Sequence, residues 1–158
     1  MDMDKSMNPR VTPMSTHVSA QDLNDILHGE ISAVEAYKQV SEKVKDDPEA
    51  YRLREFRNDH DEAVRYWTRE AKNSGTEPTG TSSVWGTVVE TFVGLSKLVG
   101  EQNALRALKK GEEHGLSEYK SMLDGDTLTL AQKEQVRRVF IPRQQSHIES
   151  INALLKVH

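Results

Sequence analysis

Apolar residues recur along this chain at three- and four-residue steps, the spacing of a single buried helical face. The first stretch holds Leu23, Ile26, Leu27, Ala33, Val34, Tyr37, Val40 and Val44. It predicts a helix beginning after Ser19, whose hydroxyl can cap the open backbone amides, with Asp22 as an imperfect capping-box partner. "KDDPEA" interrupts the pattern, since Asp47 can cap and Pro48 suits a first helical turn. A second helix then places Leu53, Phe56, Ala63, Val64, Trp67 and Ala71 on one face. Asn73 to Ser83, dense in Gly, Pro, Ser and Thr, reads as a loop.

Trp85 to Val99 is apolar and β-branched and carries Gly86 and Gly94, so propensity alone allows a strand. No neighbouring segment offers a partner strand, and the expectation is a short helical crossover. From Asn103 a third helix presents Ala104, Leu105, Leu108, Gly115, Tyr119 and Met122, and "DGDTLT" ends it. Thr129 with Gln132 spells a capping box for a fourth helix, which turns Val136, Phe140, Ile151, Leu154 and Leu155 inward. Pro142 removes a backbone donor within that helix and is expected to bend it. The fold expected is all-α: a four-helix bundle of two hairpins joined by a long, partly helical crossover. It spans residues 19–158, after a flexible tail, 1–18, that lacks periodicity.

Composition narrows the partners. A length of 158 residues suits one domain with its own core. No run of 18 apolar residues occurs, so no membrane span is expected. With 25 acidic against 21 basic side chains, net −4, the chain lacks the positive field that binds nucleic acid. The basic stretch from Lys133 to Phe140 reads as a solvated helix face. Having no cysteine, the chain has no disulfides and no thiolate metal sites. The opening residues contain no apolar core of a signal peptide, and a cytoplasmic location is expected. A homo-oligomer, a dimer foremost, is the expected partner. No activated nucleophile, phosphate loop or zinc-finger spacing occurs, so no catalytic residue is assigned.

Candidate chemistry lies where the apolar pattern is broken. Glu30 falls inside the first stripe, three or four residues from Ile26, Leu27, Ala33 and Val34. Glu112 has the same relation to Leu108, Gly115 and Tyr119 in the third, while His60 and His147 interrupt the second and fourth. A carboxylate in such a face must be paired, protonated or bound to a metal. Two carboxylates with two imidazoles suit one Fe, Mn or Zn ion, although no cofactor is favoured on sequence alone. "GEISAVEAY" at Gly29–Tyr37 recurs as "GEEHGLSEY" at Gly111–Tyr119, pairing each glutamate with a tyrosine two turns on. Tyr37 and Tyr119 are thus either donors that orient the glutamates or aromatic filler. Counted from the turn between the last two helices, Glu112 is about three turns back and His147 about five turns on. At 1.5 Å per residue this is a mismatch of about 10 Å.

These repeats, together with "RNDH" and "QQSH", resemble the ferritin-like superfamily, especially its rubrerythrin-type members. "LNDILHGEISAVEAYKQ", "WGTVVETFVG" and "ALKKGEEHGLSEYKSML" are similar to an uncharacterised bacterial family of ferritin-like proteins, DUF2383, over about Ala20 to Val157. The resemblance implies a four-helix bundle carrying a di-iron centre, with Glu30 and Glu112 at the terminal-glutamate positions and His60 and His147 at the histidine positions. The bridging glutamates of the two Glu-x-x-His elements are missing, because Arg57 and Gln144 stand there. Asp59, Asp61 and Glu62 lie at other angles on the second helix and are not expected to replace them. This implies a degenerate centre, replaced by a buried network of Arg57, Glu30, Glu112, His60 and His147, in a protein of stress-associated role. One alternative is a single Fe or Zn ion held by Glu30, His60, Glu112 and His147, with redox activity. Another is a helical interaction module docking through Trp85, Val88, Phe92 and Leu95.

Overall fold

The computed structural model describes residues 20–44, 47–75 and 100–157, and the regular structure within them is helical throughout. Helix α1 (Ala20–Lys43) and α2 (Asp47–Asn73) form the first pair, and α3 (Glu101–Asp124) opens the second. The fourth helical track comprises α4 (Leu130–Gln135), a π-helical segment (Val136–Phe140) and α5 (Ile141–Val157). The expected tail, the Ser19 cap, the glycine-rich loop from residue 76 and the crossover with Trp85, Val88, Phe92 and Leu95 lie outside the described residues. None of the described helices is long and apolar enough to cross a membrane.

Helix α1 packs mainly on α2 and α3 mainly on α5, while contact between α1 and α3 joins the two hairpins. The apolar stripes build two separate clusters. One gathers Leu23, Ile26, Leu27 and Ile31 of α1 with Ala63, Trp67 and Ala71 of α2, Tyr119 of α3, and Leu128, Val136 and Phe140. The other gathers Ala36, Tyr37, Val40 and Val44 with Ala50, Leu53 and Phe56, then Ala104, Leu105, Leu108, Ile151 and Leu154. Each helix therefore crosses from one cluster to the other, and both hairpins are antiparallel. Helix α2 closes in the first cluster whereas α3 opens in the second, so their connection joins opposite ends of the bundle. The α1 stripe differs in detail from its sequence reading: Ile31 and Ala36 are buried, while Ala33 and Val34 are only half-buried.

The fourth track starts where the sequence predicts. Thr129 Oγ1 accepts from the Gln132 amide at 3.2 Å, and Gln132 Oε1 accepts from the Thr129 amide at 2.9 Å. Gln132 Nε2 also donates to Glu70 Oε2 at 2.9 Å, tying this helix start to α2. Just before Pro142, where a bend is expected, the track carries a π segment, in which the Ile141 amide reaches back five residues to the Val136 carbonyl. Such a turn adds a residue to the helical track and rotates the helix beyond it. On that rotated stretch His147 Nδ1 stands 2.9 Å from Glu112 Oε1, so the depth mismatch counted on ideal helices does not keep these residues apart.

Two substitutions separate local from packed stability in urea denaturation. Thr129→Ala, which removes one side of the capping box, is expected to cost about 1 kcal/mol. Leu105→Ala, in a fully buried position, is expected to cost about 2–5 kcal/mol.

Candidate functional site

Between the two apolar clusters lies a polar layer. Glu30, His60, Glu112 and His147 are each at most 5% exposed. The structure brings all four together, one from each helix of the bundle. Burial is local in origin: each occupies a core-facing position of an otherwise apolar stripe, so the helix cannot bury its neighbours without burying it too.

The doubled motif acts reciprocally. Tyr37 of α1 donates its hydroxyl to Glu112 Oε1 of α3, and Tyr119 of α3 donates to Glu30 Oε1 of α1 at 2.5 Å. Only antiparallel α1 and α3 at one register allow both bonds. The indole of Trp67 completes the chain by donating to the Tyr119 oxygen at 3.0 Å. Each tyrosine is therefore a donor to the opposite hairpin's glutamate. Burial, and after it the adjoining Glu112 or Glu30, pushes both phenols well above their ordinary range, which keeps the proton on the tyrosine.

The centre itself is not symmetric. Glu112 Oε1 receives Tyr37, His60 Nε2 at 2.9 Å and His147 Nδ1 at 2.9 Å. Its other oxygen, Oε2, is buried without a hydrogen-bond partner. Each imidazole turns its second nitrogen to a different carboxylate: His60 Nδ1 to Glu30 Oε2 at 2.7 Å, and His147 Nε2 to Asp59 Oδ2 at 2.9 Å. The rings are clamped by stacking, Tyr37 over His60 with centroids 5.5 Å apart and Phe56 over His147 at 4.2 Å. Ligand atoms of His60, Glu112 and His147 all lie within 4.8 Å of one another, the metal-capable group among the described residues. Glu30 stands outside that group, on the far side of His60.

His60 has carboxylate oxygens at both nitrogens, an arrangement that only the doubly protonated ring satisfies with two donors. Burial pulls its pKa down, but the charges of Glu112 and Glu30 and their hydrogen bonds outweigh this and raise it to about 10. Burial likewise pushes Glu112 up, and His60 and His147 outweigh it, taking the carboxyl down to about 2.

Arg57 does not enter this layer. It is half-buried, and none of the layer's hydrogen bonds or ion pairs involves it. The network expected to include its guanidinium is made of glutamate, histidine, tyrosine and aspartate instead. Asp59, set aside on its helical angle, is the residue that reaches His147. Asp59 in turn pairs with Arg143 of α5 at 3.6 Å, and Arg143 also meets Glu62 at 2.9 Å. The one sequence signal for this is Arg143 four residues before His147, on the same helical face. Gln144 is buried beside the layer with Oε1 unpartnered, and its Nε2 lies only 2.8 Å from where a Cβ on Gly115 would stand. The smallness of Gly115 is what admits that side chain between α3 and α5.

Fold and site together define an all-α bundle with a buried carboxylate–imidazole centre. The chain belongs to the family described as Domain of unknown function (DUF2383), whose model matches residues 19–125. That stretch carries Glu30, His60 and Glu112, and His147 lies beyond it. No curated protein and no solved structure matches the chain.

In metal-free protein the His60 ion pairs contribute their full stability below about pH 6.5, its unfolded value, and lose it as pH rises through about 10. The Glu112 contribution is complete above about pH 4.5 and fades as pH falls through about 2. Thermal melts across pH are therefore expected to show a maximum at about pH 4.5–6.5, with a decline between about pH 6.5 and 10 that His60→Gln removes. Glu30→Ala, which leaves the imidazolium with one counter-charge removed, is expected to cost about 3–5 kcal/mol in urea denaturation at pH 6.

Proposed function

We propose that this chain is a ferritin-like protein that holds one divalent transition-metal ion through His60, Glu112 and His147. One observation carries the reading. Both histidines direct one nitrogen at the same glutamate oxygen and secure the other nitrogen on a separate carboxylate, Glu30 or Asp59. Metal-binding histidines are oriented in this way, because the outer carboxylate fixes the tautomer that leaves a lone pair toward the ion. The orphaned Glu112 Oε2 supports the fit, since a buried carboxylate oxygen without a donor calls for a cation or a ligand. Adjacent ligands at right angles on an ion with bonds of about 2.1 Å stand about 3.0 Å apart, close to the 2.9 Å N···O separations here.

A dinuclear centre fits less well. Gln144 is neutral, Arg57 makes no bond in the layer, and both oxygens of Glu30 are engaged by Tyr119 and His60. Two histidines with one carboxylate are the set that suits Fe(II) with open coordination positions, and Zn accepts the same donors. Such an ion, when bound, supplies Lewis-acid or one-electron chemistry in a layer flanked by two apolar clusters. Within the protein, Tyr37 positions Glu112, Glu30 and Asp59 hold the imidazoles, and the two apolar clusters exclude water above and below.

A second reading has an observation of its own. The doubly protonated His60, bonded to two carboxylates, satisfies the layer without an ion, and metal must then compete with protons for the site. Elemental analysis separates the two. Protein exposed anaerobically to Fe(II) or Zn(II) and desalted at pH 7.5 is expected to retain about one ion per chain. Glu112→Gln and His147→Ala should lose it, and Glu30→Gln should weaken binding about 10–100-fold. Calorimetry in buffers of differing ionisation heat should show at least one proton released per ion bound. A folded wild-type protein that retains neither metal decides for the metal-free network.

A further inference from the structure

A cavity of about 360 Å³ opens between α1 and α3 and runs inward to the polar layer. Its walls are small residues on facing helices: Gly29, Ala33 and Ala36 from α1, and Ala107, Gly111 and Gly115 from α3. A Cβ on Gly111 would meet nothing within 4 Å, so this glycine borders open space and does not serve close helix contact. At about 30 Å³ per water-sized group, the volume suits a molecule of about ten non-hydrogen atoms, at the lower end of small-ligand sites.

The inner end of this cavity states what such a molecule must carry. Two buried side chains that line it, Glu112 and Gln144, have the oxygens Oε2 and Oε1 without partners. Both atoms are acceptors, so the complementary group is a donor. Charge points the same way. Among the groups that line the cavity's inner end, Glu30 and Glu112 set two carboxylates against the one imidazole of His60, which leaves a negative balance even with that ring protonated. Asp25 and Glu118 also line the cavity, as do His28 and His114, the latter 3.2 Å from Glu118. A ligand carboxylate would thus meet repulsion at the inner end, and a neutral hydroxyl would forgo the charge-assisted part of the bond.

We propose that the α1–α3 cavity binds a small primary amine, with its ammonium on Glu112 Oε2 and Gln144 Oε1 and a compact apolar body along the alanine and glycine walls. This inference goes beyond the metal reading. It shares Glu112 with the ion site but requires no ion, and the two are tested apart. Chelator-treated full-length protein is titrated by calorimetry with benzylamine, benzyl alcohol and benzoate, three probes of one shape and differing charge. Benzylamine is expected to bind at least 10-fold more tightly than benzyl alcohol, and benzoate not measurably. Gly111→Leu puts a side chain into the open space, so it should keep the fold and the metal uptake of the wild type and lose benzylamine binding at least 10-fold. Ala33→Leu on the facing wall provides the same reading should Gly111→Leu misfold, and Gln144→Leu should weaken the amine alone. Equal affinity for all three probes, no amine binding to wild type at millimolar concentration, or undiminished binding by both leucine variants overturns the proposal. None of these results depends on whether wild-type protein takes up Fe(II) or Zn(II).

Discussion

A single oxygen atom organises this molecule. Glu112 Oε1 takes donors from three other helices, Tyr37 on α1, His60 on α2 and His147 on α5, and it does so in a layer sealed by apolar clusters at both ends. Apolar contact alone specifies no register between helices, because a bundle seam tolerates small slides with modest loss. A buried carboxylate does not tolerate them, since each lost donor leaves charge unbalanced in a medium of low polarizability. The hydrophobic stripes supply the driving force for the bundle, and this atom selects which of its near-equivalent packings is native.

The sequence repeat becomes a structural rule at this point. A glutamate and a tyrosine seven positions apart are two helical turns apart on nearly one face. Two copies running in opposite directions can exchange hydrogen bonds at both ends, and they do. The exchange fixes α1 against α3, which are joined by no short connection and gain no register from a tight turn. Identical motifs nevertheless yield unequal glutamates. Glu30 spends both oxygens on Tyr119 and one histidine, whereas Glu112 gathers both histidines on one oxygen and leaves the other bare. That inequality lets one copy serve as support and the other as centre.

How far each feature is legible in the sequence depends on the scale to which it belongs. Helix starts at Thr129 and Asp47, and the buried faces around Leu27, Leu53 and Leu105, are set by neighbours three or four residues away, so periodicity exposes them. Glu30, His60, Glu112 and His147 are visible for the same reason, as polar residues where the local pattern demands apolar ones. Arg57 and Asp59 escape such a reading because their environment is set by another helix. Three residues before His60, Arg57 shares its approximate face, yet a long cationic side chain can carry its head to water while its stem stays on the helix. Asp59 acquires its role only when α5 arrives with His147 and Arg143. The depth of His147 escapes it too: the π segment ahead of Pro142 shifts the track by only about one residue, about 1.5 Å of the roughly 10 Å counted on ideal helices.

The small residues between α1 and α3 give the last constraint its meaning. Two helices bonded through long side chains, tyrosine to glutamate, are held at the distance those side chains span, and alanines and glycines beside them cannot fill the gap that results. Larger residues at Ala33, Ala107 or Gly111 would close it and gain dispersion contact and helix propensity. A chain selected for stability alone would take that gain, most easily at Gly111, where nothing stands in the way. The gap instead leads inward to the side chains of Glu112 and Gln144, each of which carries a buried oxygen that the layer leaves unbonded. The spacing that the reciprocal tyrosines impose and the opening that the small residues preserve are therefore two parts of one arrangement. It keeps α1 and α3 in register while leaving an open cavity against the side chain of Glu112.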